Sequence, residues 1–191
     1  GSFMIAHAVE QMKPDLIGED PREIDRIWQT LYRNFTYVGG AGVVVTALSG
    51  IDIALWDLKG KWLGKPVYEL LGGKHRDRIP LYANGWFLGK ELTPKSYAAE
   101  ARGIVKAGFS ALKCDPFRNL YLSGLHDPSN MGIAPEEEER GIETVAAIRE
   151  AVGPGVEIAV DAHGRYSVAT AIRLGQRLEP YRLMWFEEPV P

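Results

Sequence analysis

The sequence predicts an α/β fold with a parallel sheet, preceded by a mainly helical segment. Three observations carry this. From Arg78 onward, short apolar runs alternate with helical patterns of about 10 to 15 residues, the rhythm of βαβ units. Before Arg78, apolar residues recur at steps of three and four, the period of a helix. Each strand candidate also stops at polar, chemistry-bearing residues, and in parallel sheets the chemistry sits at the carboxyl ends of the strands.

Taken in order, Asp20-Pro21 reads as an N-cap followed by proline at the first helical position. Ile24, Ile27, Leu31 and Tyr32 then mark a helix from Arg22 to Phe35, and Gly39-Gly40 breaks it. A second helix runs from Val43 to Leu63, with Ile51, Leu55, Leu58 and Trp62 at helical steps. It is apolar nearly all round and is expected to be largely buried. Pro66 opens a short helical turn, which Gly72-Gly73 closes.

Ile79 to Ala83 is the first strand candidate. Thr93 caps a helix from Pro94 to about Ala107, and Gly108 ends it. Phe109 to Lys113 is the second strand. Asp115 to Pro135 is a connection of about 20 residues; that length inside a compact domain means a functional loop or a missed element. Glu136 to Val152 is a helix carrying Ile142, Val145, Ile148 and Val152 on one face. Val156 to Val160 is the third strand, Ser167 to Leu178 the next helix, and Leu183 to Phe186 the fourth strand. The domain boundary is expected between residues 1–76 and 77–191.

Composition limits the partners. Of 191 residues, 46% are hydrophobic and 25% charged, the balance of a soluble globular protein with a sizeable core. The net charge of −3, with no basic cluster interleaved with aromatics, argues against nucleic acid and against a membrane surface. No apolar run approaches the roughly 20 residues of a membrane span, and the first residues lack a signal-peptide pattern. Cys114 is the single cysteine and cannot form an internal disulfide, so a reducing, cytoplasmic location is expected. A small molecule is the expected partner.

The strand ends hold the candidate site. The first runs into Asn84 and Trp86, the second into Lys113, Cys114 and Asp115. The third gives Asp161, His163 and Arg165, and the fourth Glu187 and Glu188. Side chains alternate along a strand. Lys113 and Asp115 therefore share a face, as do Asp161 and His163, while Cys114 points into the strand–helix layer as a small core residue. Asp161 and Glu187 are 26 positions apart, one βα unit, and stand at the same depth on adjacent strands. Two carboxylates so placed repel each other. Either a divalent cation relieves this, and all-oxygen ligation suits Mg²⁺, or each carboxylate pairs with Lys113 or Arg165. His163 is either a packed, hydrogen-bonded histidine or an acid/base group beside that site. Lys113 is either a strand-end surface lysine or a functional one.

These residues resemble a known family. Ala47-Leu48-Ser49-Gly50-Ile51-Asp52-Ile53-Ala54-Leu55-Trp56-Asp57 is similar to the last capping-domain helix of mandelate racemase-like members of the enolase superfamily. Leu70-Leu71-Gly72-Gly73, Val160-Asp161-Ala162-His163-Gly164-Arg165 and Trp185-Phe186-Glu187-Glu188-Pro189 follow in the family's order and spacing. The resemblance covers essentially the whole chain. It implies a (β/α)₈-type barrel, here strands one to four, with a partial, mainly helical α+β capping domain. It further implies a Mg²⁺ ion whose first two ligands are Asp161 and Glu187, and an enediolate formed by α-proton abstraction.

Two features point to a subgroup. Racemases and cycloisomerases of this kind carry Lys-x-Lys on strand two, where this chain has Lys113-Cys114-Asp115. His163 stands where galactonate dehydratase-like enzymes place their general acid. The resemblance therefore implies an acid-sugar dehydratase that converts an aldonate or aldarate to a 2-keto-3-deoxy acid. Catalysis falls to His163 and Lys113, and substrate binding to Asp115, Arg165, Asn84, Trp86 and Tyr37. Tyr37 belongs to the capping-loop segment Tyr37-Val38-Gly39-Gly40. A homo-oligomer is also implied for the full-length enzyme. A racemase or epimerase, or a barrel fragment acting only as a scaffold, remain the alternatives. A barrel of about 250 residues would leave strands five to eight, a third metal ligand and the general base outside this sequence. An isolated half-barrel with two unpaired edges is expected to aggregate or dimerise.

Overall fold

The computed structural model describes residues 2–39, 41–88, 93–117 and 131–191. The chain divides into two units, Gly1–Arg78 and Ile79–Pro191. Within the described residues the first unit is helical: α1 (Ser2–Met12), α2 (Ile24–Asn34), the short α3 (Thr36–Gly39), α4 (Val43–Leu63) and α5 (Val67–Leu70). The helix α1 carried no clear capping signal and was not distinguished in the sequence. Met12, Ile27, Leu31, Ala47 and Leu48 form the core, where α1 and α2 pack on α4.

Two expectations in this unit need correction. Asp20 does not cap α2, which begins at Ile24 with Glu23 in the N-cap position and no side-chain cap. The Asp20 carboxylate instead accepts the Arg22 N–H at 3.0 Å and pairs with the Arg22 guanidinium, a local turn that competes with helix entry. The helix α4 has the expected bounds but is not largely buried. Ala47, Leu48 and Gly60 are buried, whereas Val43, Ile53, Leu58, Trp62 and Leu63 are exposed. Within the unit α1, α2 and α5 pack against it, and they cover too little of its circumference. Its end is set by Gly64 at φ 63°, in the left-handed region that spares a side-chain clash.

The second unit alternates helix and strand: α6 (Pro94–Lys106), β1 (Ala111–Cys114), α7 (Pro135–Val152), β2 (Glu157–Asp161), α8 (Val168–Leu178) and β3 (Trp185–Glu187). The three strands form one parallel sheet in the order β1-β2-β3. Thr93 caps α6 by accepting the Ser96 N–H at 3.2 Å, and Ser167 caps α8 by accepting from Thr170 at 3.3 Å. Leu112, Cys114, Ile158 and Val160 of the strands meet Ala101, Val145, Ile148 and Leu174 of the helices in one core.

The first expected strand, Ile79 to Ala83, contracts to a single parallel bridge. Ala83 N–H donates to Ala111 O at 2.9 Å, and Ala83 O accepts from Lys113 N–H at 2.8 Å. Pro80 has no N–H to give a ladder, and Ile79 and Leu81 are 75% and 69% exposed. The other strands each end one residue later than the pattern predicted, which makes Asp161 and Glu187 the last residues of β2 and β3. They are direct register partners. Most of the long connection expected from Asp115 to Pro135 lies outside the described residues.

Candidate functional site

Strand alternation sends Cys114 into the core and Lys113 to the opposite face. There the Lys113 ammonium lies 2.9 Å from Asp161 Oδ2 and 2.9 Å from each oxygen of Glu187. Three carboxylate oxygens from two strands thus gather around one cation. Burial works against the charge of Lys113, but its hydrogen bonds to Glu187 and Asp161 outweigh this and hold its pKa above the ordinary lysine value. Burial likewise opposes ionisation of Asp161, and the bonds from Lys113 and the His163 backbone outweigh it, leaving the carboxyl below its ordinary range. Lys113 thus pairs with both carboxylates. Arg165 does not take part.

Two aromatic residues complete this cluster, and neither was singled out in the sequence. The Trp185 indole donates to Glu187 Oε2 at 3.0 Å. The Tyr82 ring lies 5.8 Å from the Lys113 ammonium and meets Trp185 edge-on at 5.4 Å. Trp185 was legible, because it precedes Glu187 by two residues and so shares its face. Tyr82 lies on the poorly formed first strand and gave no signal.

His163 follows β2 in a left-handed backbone conformation, φ 51°, and Gly164 continues it at φ 64°. Its N–H donates to Asp161 Oδ1 at 3.0 Å. Its Nδ1 lies 3.2 Å from both Asp161 Oδ1 and Asp115 Oδ2, and the side chain is 56% exposed. Asp115 is buried, and that burial pushes its carboxyl above the ordinary range against the pull of Arg165 and His163. Arg165 donates from Nη2 to Asp115 Oδ1 at 2.7 Å, from Nε to Ala162 O at 2.7 Å and from Nη1 to Phe117 O at 3.2 Å. Every guanidinium nitrogen is thus engaged within the protein, so Arg165 orients Asp115 and does not present itself to solvent.

Trp86 is half-buried and donates its indole N–H to Lys113 O at 2.9 Å, pinning the end of β1. Asn84 is exposed, and its Oδ1 accepts the Gly85 N–H at 2.8 Å. Tyr37 lies in the first unit and is fully exposed. Glu188 is exposed with φ 39°, and only its backbone carbonyl joins the site region, accepting from Gly164 N–H at 2.7 Å. Glu187, not Glu188, therefore faces Asp161.

Two carboxylates offer oxygens around a point already occupied by positive charge, and Mg²⁺ accepts one or two carboxylates with waters completing its shell. No set of three or more His, Cys, Asp or Glu side chains forms a metal site among the described residues. The carboxylate oxygens of Asp161 and Glu187 are of the chemistry that would hold Mg²⁺, and Lys113 would compete for them.

Residues 96–191 match the family described as "Enolase C-terminal domain-like", and residues 3–72 match "Mandelate racemase / muconate lactonizing enzyme, N-terminal domain". The chain belongs to the mandelate racemase/muconate lactonizing enzyme family of the enolase superfamily. The alternating unit is correspondingly part of a (β/α)₈-type barrel. The chain is 43% identical over 186 residues to D-gluconate dehydratase from Thermoproteus tenax, covering 97% of this chain and 35% of the relative. It is 43% identical over 185 residues to D-galactonate dehydratase from Ralstonia nicotianae, covering 96% of this chain and 44% of the relative. Among solved structures, a putative dehydratase from Salmonella Typhimurium superimposes with a TM-score of 0.92 at 32% identity, over 100% of this chain and 51% of that one. A racemase from Streptomyces coelicolor solved with bound magnesium gives 0.82 at 30% identity, over 100% and 48%. The chain thus spans about half the length of the structures, and less of the relatives, that it matches. Among the described residues no helix is long and apolar enough to cross a membrane.

Proposed function

We propose that this chain forms part of a Mg²⁺-dependent acid-sugar dehydratase, acting on an aldonate or aldarate to give a 2-keto-3-deoxy acid. The observation that carries this reading is the convergence of Asp161 and Glu187, register partners on adjacent parallel strands, on one cationic point with His163 beside it. The names of the relatives supply the substrate class.

In this reading the carboxylates of Asp161 and Glu187 would hold the ion. When bound, Mg²⁺ supplies Lewis-acid stabilisation of the charge that develops on the substrate's acid group as its α-proton leaves. Lys113 contributes positive charge beside these carboxylates, where the substrate acid would bind. His163 gives a proton to the departing β-hydroxyl, which leaves as water. The enol that remains becomes the 2-keto-3-deoxy acid. The group that takes the α-proton is not assigned to any described residue. Asp115 and Arg165 hold the His163 turn, and Trp86 holds Lys113. Asn84 is proposed to reach the sugar's hydroxyls. The enzyme is further proposed to be cytoplasmic and homo-oligomeric.

The test is a product assay on the full-length enzyme with Mg²⁺ and a panel of aldonates and aldarates. A keto acid trapped by semicarbazide identifies dehydration. A change of optical rotation without keto acid points to epimerisation instead. No reaction across the panel, with no loss of Mg²⁺ binding in Asp161→Asn, means the carboxylates serve only as ion-pair partners.

A further inference from the structure

We infer that Trp185 is a positioning residue for the cation site: its indole N–H keeps the Glu187 carboxylate turned toward Asp161 when a divalent ion displaces the Lys113 ammonium. The inference rests on the cation site of the proposed function and not on the identity of the acid sugar.

A carboxylate binds a cation well only if its oxygens already point at the site, because ordering a long side chain works against binding. Asp161 meets this condition without Lys113. Its side chain is short and 9% exposed, and its Oδ1 accepts the backbone N–H of His163 at 3.0 Å. Glu187 is placed differently. Its side chain is one methylene longer and 32% exposed, and it ends β3. Among the described residues two groups donate to its carboxylate: Lys113 Nζ, 2.9 Å from both oxygens, and Trp185 Nε1, 3.0 Å from Oε2. A divalent ion and the ammonium compete for the same oxygens. Once Lys113 gives way, the indole is the donor that still holds Glu187.

The fold places Trp185 rigidly for this task. It precedes Glu187 by two residues on β3 and so shares its face, and its backbone is fixed in the sheet as the register partner of Ala159. The Glu187 carbonyl is fixed as well, accepting the Ala162 N–H at 3.0 Å. Tyr82 packs edge-on against the indole at 5.4 Å and restrains its rotation. An indole N–H is a donor only and carries no formal charge. It therefore orients the carboxylate without adding a second cation that would repel a metal ion, as a lysine or arginine in its place would. Bound to Oε2, it leaves Oε1 as the oxygen with no indole partner. Carboxylate ligands are generally hydrogen-bonded in this way by a residue behind them, and losing that residue costs about 10 to 100-fold in metal affinity.

The test combines isothermal titration of Mg²⁺ alone into full-length protein with nitrogen-15 NMR of the Trp185 indole N–H, assigned through bonds from its own backbone. In the wild type that N–H should exchange with water more slowly than a free indole, both in EDTA and at saturating Mg²⁺. Trp185→Phe keeps a ring against Tyr82 and removes the donor, so its Kd for Mg²⁺ should rise by about 10 to 100-fold. A merely structural ring would leave that Kd unmoved. An indole N–H that exchanges freely in the Mg²⁺-loaded wild type overturns the inference, and this measurement needs no variant to fold. An unchanged Kd in folded Trp185→Phe also overturns it, and leaves the proposed function standing if the wild type dehydrates an acid sugar. The expected rise in Kd, in a protein that dehydrates no acid sugar, sustains the inference and refutes the proposed function. A wild type that binds no Mg²⁺ overturns both.

Discussion

Lys113→Met is the variant that best separates an ion pair from a cation site. It deletes the charge at the meeting point of three carboxylate oxygens, each 2.9 Å away, and keeps most of the apolar stem. The side chains of Lys113 and Asp161 are 10% and 9% exposed, and that of Glu187 is 32% exposed. Removing one partner of a buried ion pair costs about 3–5 kcal/mol. Solvent at Glu187 screens part of this, so a loss of about 2–3 kcal/mol is expected in the absence of divalent cations. The same deletion removes the competitor for the oxygens. Mg²⁺ should then bind the folded state more tightly, and at a hundredfold excess over its Kd it returns about 2.7 kcal/mol. Urea unfolding in EDTA and in Mg²⁺ measures both effects. If Lys113→Met matches the wild type in EDTA, the ion pair contributes nothing. If it is destabilised yet gains nothing from Mg²⁺, Asp161 and Glu187 do not constitute a cation site.

Three further outcomes are expected. His163→Asn should abolish formation of the keto acid while leaving exchange of the α-proton with deuterated solvent; full dehydration by this variant rules out His163 as the acid. Glu138 of α7 is buried and accepts from Arg173 and Arg177 of α8 at 2.8 and 3.1 Å, and these partners hold its pKa below the ordinary 4.5. Because the folded value is depressed, its contribution is complete above 4.5 and is lost as pH falls through the lowered value. Glu138→Gln should remove about 1–2 kcal/mol near neutral pH and flatten that part of the acid limb in a urea-midpoint profile, both arginines being partly exposed. Gly141→Ala should destabilise despite the better helix propensity of alanine, which is worth at most about 1 kcal/mol. Its Cβ would enter the Phe117 ring, and overpacking costs about 1–3 kcal/mol. Phe117 also donates to Asp115 and accepts from Arg165, so the strain reaches the turn that carries His163; a urea midpoint raised by this substitution contradicts the clash.

Local rules left their mark where one residue or one period decides the outcome. Thr93 was readable as a cap because a side-chain oxygen serves a backbone N–H three residues away; Ser167 does the same for α8 but was read only as that helix's first residue. Asp161 and Glu187 were readable as partners because one βα unit returns the chain to the same depth of the next strand. Asp20 misled, because its carboxylate found Arg22 before it could serve a helix. The helix α4 misled more seriously. An apolar circumference states what a helix could bury, but not how many neighbours arrive to bury it.

By itself the sequence determined the order of helix and strand, the parallel sheet and the identity of the groups at the strand ends, all set by periodicity and by residues close along the chain. Which groups touch was decided by tertiary structure alone. Lys113, Asp161 and Glu187 are separated by as many as 74 positions, and Arg165 reaches Asp115 across 50. Whether a carboxylate meets an ammonium, an imidazole or a guanidinium depends on where packed strands and turns deliver them, and no local propensity encodes that distance.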